Sequence, residues 1–180
     1  ADEFKHVRVV GVVGNHGRMT KKPVAKRRAK DNLDWLLYKF MARDFAKDPR
    51  ISFNIPEGAD AFETVHGVRF LLTHGDQFRG GSGISGAMSP LLLGTHRKTR
   101  RQSSAGNPYD IMLMGHWHQT LMLPSKGLMV GGTLKGMDEY AWQSNFEPEP
   151  ASQLMWLVTP EYGVGFTLPI VVQDRVAEKW

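Results

Sequence analysis

The chain has no cysteine among its 180 residues. Disulfide bonds and thiolate metal sites are therefore excluded, and a metal ion could be held only by histidine, asparagine, aspartate or water. A protein without disulfides suits a reducing compartment.

Long apolar runs are also absent. No stretch approaches the roughly 18 apolar residues that a membrane-spanning helix needs. Residues 1–6 do not combine a basic start with an apolar stretch, as a secretory signal does. We therefore expect a cytoplasmic protein with no membrane partner. The hydrophobic content of 41% is ample for a core, and the length predicts one domain over residues 1–180.

Positive charge is unevenly distributed along the chain. The formal net charge is +5 and the sequence pI is about 9.6, with clusters at Lys21–Lys30 and His96–Arg101. Such clusters favour a polyanion or an anionic substrate, including a nucleic acid. A solvated helix face and a mobile loop explain them equally well, so both interpretations stay open.

The clearest secondary-structure signal is an apolar stripe that begins after residue 32. Its members recur at helical spacing: Leu33, Leu36, Leu37, Phe40, Met41 and Phe45. Asp31 or Asn32 could cap the start of this helix, and Asp48-Pro49 ends it.

Strand signals surround this helix. The β-branched run Val7–Val13 predicts a strand buried on both faces, and Ile51–Ile55 alternates as a half-buried strand. The runs 62–65 and 68–72 predict a hairpin around His66-Gly67. Four later runs, separated by turn signals, predict a meander of antiparallel strands: 121–123, 128–130, 154–158 and 164–172.

The segment Gln77–Gly86 is rich in glycine and serine and predicts a flexible loop. Ser89-Pro90 then marks a helix start that leads through Leu91–Leu93. The methionines Met112 and Met114 follow the strand period and are expected in the core.

Three histidine motifs each follow an apolar run: Gly14-Asn15-His16-Gly17, Thr73-His74-Gly75-Asp76 and, after 111–114, Gly115-His116-Trp117-His118. Each predicted strand therefore delivers an imidazole to its C-terminal end. Open α/β sheets place their ligand sites at these ends, so we expect the three motifs to converge. The histidines outside these motifs are expected at the surface or in turns: His6, His66 and His96.

The order of the motifs resembles the C-terminal half of the calcineurin-like metallophosphoesterases. That family reads D-x-H, G-D-x-x-D, G-N-H-(D/E), an isolated histidine and G-H-x-H, and the last three blocks occur here between Val7 and Gly136. The first two blocks do not occur, so we expect a C-terminal fragment. The resemblance implies an α/β fold, a metallophosphoesterase-type β-sandwich flanked by helices, without the N-terminal βαβ portion.

The resemblance also implies an activity and roles for particular residues. It implies a metal-dependent phosphoester hydrolase, a phosphodiesterase, nuclease or phosphatase, in which two metal ions activate the attacking hydroxide. Asn15, His74 and His116 would bind one metal and His118 the other. His16 would contact a phosphate oxygen or protonate the leaving group. Manganese suits these ligands best, with iron, zinc, cobalt and nickel as alternatives.

Two departures from the family weaken the expected site. Gly17 stands where the family has an acidic residue, so Arg18 could take part of the phosphate contact. Without D-x-H and G-D-x-x-D, the site of Asn15, His74 and His116 lacks a carboxylate. We therefore expect low metal affinity and poor catalysis by this chain alone.

Other interpretations remain open. The chain could be a non-catalytic module of the same fold that binds nucleic acid or a protein partner. A homodimer or a partner subunit could instead complete the metal site. Asp76 could orient a histidine or stabilise its own turn. The substrate could be a nucleic acid, a nucleotide, a small phosphomonoester or a phosphoprotein, and the oligomeric state is not predicted.

Overall fold

The computed structural model describes residues 3–79, 88–136, 138–143 and 149–173. In this part of the chain the strands are β1 Val7–Val10, β2 Ile51–Asn54, β3 Asp60–Val65, β4 Val68–Thr73, β5 Ile111–Met114, β6 Leu121–Leu123, β7 Leu128–Val130, β8 Ser152–Thr159 and β9 Gly163–Val171. The helices are α1 Leu33–Asp44, α2 Met88–Ser104 and α3 Glu139–Gln143, with a 3₁₀ turn at Pro124–Lys126. Most of the loop expected over Gln77–Gly86 lies outside the described residues.

The main layer is a mixed sheet of five strands in the order β3-β4-β5-β7-β6. Strands β4, β5 and β7 run parallel, whereas β3 and β6 pair antiparallel at the two edges. As predicted, β3 and β4 form a hairpin that turns at His66-Gly67. Both turn residues have positive φ angles. With helices beside this sheet, the α/β fold class is confirmed.

The core of the molecule lies on the central strands. These strands contribute large, fully buried apolar side chains, namely Leu71, Met112, Leu128 and Val130. Leu91 of α2 packs against them. Met114 is 6% exposed and joins the same cluster, so the expectation that the methionines fill the core is confirmed. Parallel strands need apolar cover on both faces, which this composition provides.

The predicted meander is wrong in one respect. Strand β7 pairs parallel with β5 as well as antiparallel with β6, because its three residues are all buried and suit a central position. Strands β8 and β9 form a separate antiparallel hairpin. This hairpin packs on the large sheet, since the ring of Trp156 lies 6.1 Å from that of Phe70.

Strands β1 and β2 form a second, two-stranded parallel sheet. The prediction that β1 is buried on both faces is wrong, because Arg8 is exposed and the neighbouring valines are only half-buried. Arg8 forms an ion pair with Glu63 of β3 at 3.0 Å, and Asn54 at the end of β2 donates to the carbonyl oxygen of Phe62. These contacts join the small sheet to the edge of the large one.

Helix α1 follows the predicted stripe and begins at the predicted place. Asn32 is its N-cap, and its Oδ1 accepts a hydrogen bond from the backbone N–H of Asp34 at 2.9 Å. No residue of α1 is buried, and Leu33 and Leu37 are each 56% exposed. The apolar stripe of α1 is therefore a surface of the described chain.

Helix α2 continues the predicted helix start through the basic run to Ser104. Lys98 is nonetheless buried, because its Nζ pairs with Asp60 at 2.5 Å. Within the described ranges, no helix is both long enough and apolar enough to cross a membrane.

Replacing Asn32 with alanine is expected to destabilise the fold by about 2–3 kcal/mol. The variant loses the helix cap and also leaves the carbonyl oxygen of Gly14 without its donor. The control is Asp31→Ala, which removes only a surface pair with Arg27 and should cost less than about 1 kcal/mol. Urea unfolding of both variants measures the difference, and equal losses would contradict the capping assignment.

Candidate metal centre at the strand ends

The pairing of β4 with β5 brings His74 and His116 together. The two strands are parallel, with Leu72 opposite Leu113, so both end at the same edge of the sheet. Beyond the strands, the backbone N–H of Gly115 donates to the carbonyl oxygen of His74 at 3.2 Å. The imidazole centroids of His74 and His116 lie 5.0 Å apart in an edge-to-face arrangement.

Asn15 joins this pair from the end of the first apolar run. Its Oδ1 lies 2.8 Å from Nε2 of His74, within hydrogen-bond distance. An amide oxygen can only accept a hydrogen bond, so Nε2 of His74 carries the proton in this contact. The contact brings Asn15 and His74 side by side, and a metal ion bound between them would replace this hydrogen bond.

The turn that carries His116 and His118 has an unusual backbone. Both residues have left-handed conformations, with φ of 70° and 57°. Such angles are uncommon for residues other than glycine and often occur at functional sites. Trp117 packs against the buried core cluster and so anchors the turn between the two histidines.

The site keeps its imidazoles uncharged. Burial, and secondarily the neighbouring His116, lowers the pKa of His74 to about 4. Burial is also the main cause that lowers the pKa of His116 and of His118. Neutral imidazole is the form that binds a metal ion, so these side chains are ready to act as ligands at pH 7.

Asp34 is a site residue that the sequence reasoning missed. Its Oδ2 accepts a hydrogen bond from the backbone N–H of Gly14 at 2.8 Å. A β-carbon at Gly17 would overlap the side-chain oxygens of Asp34 and Asn32. The carboxylate of Asp34 thus lies where the β-carbon of an acidic residue at position 17 would be placed. Position 17 directly follows His16. The acidic first turn of α1 was the available signal.

Asn32 completes the connection between the first motif and α1. Its Nδ2 donates to the carbonyl oxygen of Gly14 at 2.9 Å, and the residue is only 1% exposed. The backbone N–H and the carbonyl oxygen of Gly14 therefore both form hydrogen bonds with side chains at the start of α1. This double contact fixes the loop that carries Asn15.

Arg18 and His16 occupy different positions in the same loop. The guanidinium of Arg18 donates to the carbonyl oxygen of Asn15. His16 is exposed. Contact of Arg18 or His16 with a phosphate stays a prediction.

Asp76 pairs with Arg28 instead of hydrogen-bonding to a histidine. The two oxygens of Asp76 accept from the guanidinium at 2.7 and 2.9 Å, and both side chains are largely buried. The charge of Asp76 nevertheless opposes the lowering of the pKa of His74 and His116. Arg28 is therefore an internal member of the basic cluster Lys21–Lys30.

The donor set fits a divalent ion only weakly. Asn15, His74 and His116 offer one amide oxygen and two imidazole nitrogens, with no carboxylate to offset the charge of the ion. Across residues 3–79, 88–136, 138–143 and 149–173, no group of three or more histidine, aspartate or glutamate side chains is placed to hold a metal ion. The low affinity expected from the missing motifs stays a prediction. The role of His118 in a second metal site stays a prediction.

Comparisons with known proteins give limited similarity. No protein-family model matches the chain, and no curated protein matches it. Among solved structures, it is similar to wild-type Vps29 from Entamoeba histolytica in complex with zinc, with 14% identity and a TM-score of 0.38 over 69% of this chain and 66% of that one. A single mutant of the same Vps29 gives 13% identity and a TM-score of 0.38 over 68% of each chain. The chain thus spans about two thirds of these structures, and a likeness at this level establishes neither activity nor partners.

Lowering the pH is expected to destabilise the protein through His74. The unfolded chain takes up a proton near the ordinary pKa of 6.5, whereas folded His74 does so only near 4. Between these values the unfolded state binds more protons, so the free energy of unfolding falls as the pH falls. We expect a loss of about 2 kcal/mol between pH 7 and 4.5.

Urea titrations at both pH values test this expectation. His74→Gln should show a smaller loss than the wild type, and His96→Gln, which changes an exposed histidine on α2, should leave the loss unchanged. A wild-type stability that does not change from pH 7 to 4.5 would contradict the lowered pKa of His74.

Proposed function

We propose that the chain supplies the histidine and asparagine part of a metal-dependent phosphoester hydrolase. The observation that carries this proposal is that His74 contacts both Asn15 and His116, which come from two other segments of the chain. Asn15 is in direct contact with His74, and burial lowers the pKa of both histidines, which favours the neutral form that binds a metal ion. The order of the three motifs along the chain supports the same activity.

The proposed roles follow from position. Asn15, His74 and His116 would hold one divalent ion, with manganese the best candidate. When bound, such an ion lowers the pKa of water and offsets the negative charge that develops on the phosphate oxygens. His16, exposed in the loop beside the other histidines, would donate a proton to the leaving oxygen. Arg18, fixed against the carbonyl oxygen of Asn15, would face the phosphate.

The same donor set limits how tightly the isolated chain could bind metal ions. A neutral set of three ligands binds a divalent cation weakly, and His118 alone would hold a second ion poorly. The carboxylates of D-x-H and G-D-x-x-D would supply the missing charge in a complete site. The proposal therefore includes slow turnover by the isolated chain.

Manganese-dependent hydrolysis of bis-p-nitrophenyl phosphate tests the activity. We expect slow release of nitrophenol that needs millimolar Mn²⁺ and that falls at least about tenfold in His116→Ala, because the variant loses a ligand. The matched control is His96→Ala, which removes an exposed imidazole from α2 and should keep the wild-type rate.

Two results would contradict the proposal. One is turnover that does not depend on Mn²⁺, and the other is an equal rate in the wild type and in His116→Ala. Folding of each variant is checked by circular dichroism, so that a lost rate is assigned to the ligand and not to unfolding.

The second candidate is a non-catalytic module of the same architecture. Two observations favour it: the lack of a carboxylate-containing ligand group in the described ranges, and the exposed apolar stripe of α1. Absence of both turnover and Mn²⁺ binding would support this candidate. A nucleic acid or a protein partner would then be the ligand.

A further inference from the structure

A basic cleft lies beside the histidine site and is separate from it. It is formed between the segment Gln77–Arg79, which follows the His74 turn, and the part of α2 from Pro90 to Arg101, and its volume is about 260 Å³. Phe78 is buried in its floor, and its ring is so close to α2 that a β-carbon at Gly94 would lie 2.5 Å from it. The two walls of the cleft are therefore held together by tight packing.

The charges around the cleft are strongly unbalanced. Four cationic side chains line it: Arg79, Arg97, Lys98 and Arg101. One carboxylate, that of Asp60, pairs with Lys98 at 2.5 Å and with Arg101 at 3.6 Å. Four cations and one carboxylate leave a net charge of +3. In the described ranges neither Arg79 nor Arg97 forms an ion pair, and residues 80–87 are uncharged in sequence.

The positive charges that α2 brings to the cleft are only partly balanced by Asp60. Arg97 and Arg101 are four residues apart, so they are neighbours on one face of the helix. Like charges at this spacing repel each other and weaken a helix. Lys98 is 6% exposed beside them, and burial is the main cause that lowers its pKa. A bound anion would relieve the repulsion between the two arginines.

The cationic groups of the cleft suit an oxyanion, and phosphate fits both their charge and the size of the cleft. The planar guanidinium group donates two parallel hydrogen bonds to phosphate oxygens and stays charged at all physiological pH values. The volume is slightly below the 300–1,000 Å³ typical of small-molecule sites, so it suits one or two phosphate groups and not a large organic body. We propose that this cleft binds a phosphate-bearing ligand through Arg79 and Arg97.

The cleft also has a structural connection to the histidine site. Gln77 donates through Nε2 to Oγ1 of Thr73 at 2.6 Å, at the end of the strand that carries His74. The segment Gln77–Arg79 is therefore tied to the end of β4, next to His74. The binding proposal requires no hydrolysis and goes beyond the proposed activity.

Titration calorimetry in EDTA tests the cleft without any contribution from a metal ion. The full chain is titrated with inorganic pyrophosphate in one experiment and with an eight-residue oligothymidylate in the other. Arg97→Gln and Arg79→Gln each replace an exposed side chain, so both variants should fold. The matched control is Arg43→Gln, which changes an exposed arginine of α1.

We expect pyrophosphate to bind the wild type and to bind Arg97→Gln and Arg79→Gln at least about tenfold more weakly, because a charged hydrogen-bonding pair is lost. Arg43→Gln should remain within about twofold of the wild type. Oligothymidylate that binds more tightly than pyrophosphate and shows the same dependence on Arg97 would identify a nucleic acid as the source of the phosphates. Binding of pyrophosphate alone would identify a small phosphorylated ligand.

Two outcomes would overturn the proposal. One is the absence of binding to both probes at millimolar concentration. The other is an equal loss in Arg97→Gln and Arg43→Gln, which would mean that binding follows total charge and not this cleft. Neither outcome affects the manganese-dependent activity, which is measured at other residues.

Discussion

The parallel alignment of β4, β5 and β7 is the constraint on which the rest of the structure depends. It places the ends of two histidine-bearing strands at one edge of the sheet, and the core made by Leu71, Met112 and Leu128 fixes their register. A slip by one residue would turn every buried side chain to the opposite face. The positions of His74 and His116 are therefore a consequence of core packing.

The sequence predicted the features that depend on local order. Helix α1 with its cap at Asn32 and the β3–β4 hairpin both follow from spacing within a few residues. The approach of His74 to His116 was also predictable, because the ends of neighbouring parallel strands share one edge of a sheet. Asn15 follows a strand of the separate small sheet, so this rule does not account for its contact with His74. The motifs alone indicated that Asn15, His74 and His116 would meet.

The features that sequence reasoning missed depend on contacts between distant residues. Asp34 reaches Gly14 across 20 residues, and Arg28 reaches Asp76 across 48. Nothing in the local pattern of either residue specifies its partner. The parallel position of β7 was missed for the same reason, since a three-residue apolar run does not show which strand lies beside it. Basic residues such as Arg28 and Lys98 were assigned to surface clusters, although each forms a buried ion pair.

The most direct test of the central claim is NMR of the histidine side chains during addition of substoichiometric Mn²⁺. A paramagnetic ion bound at the strand ends should broaden the imidazole signals of His74 and His116 first. The exposed imidazoles of His66 and His96 serve as internal controls and should stay sharp. Equal broadening of all histidines, or none at millimolar Mn²⁺, would contradict a metal centre built on Asn15, His74 and His116.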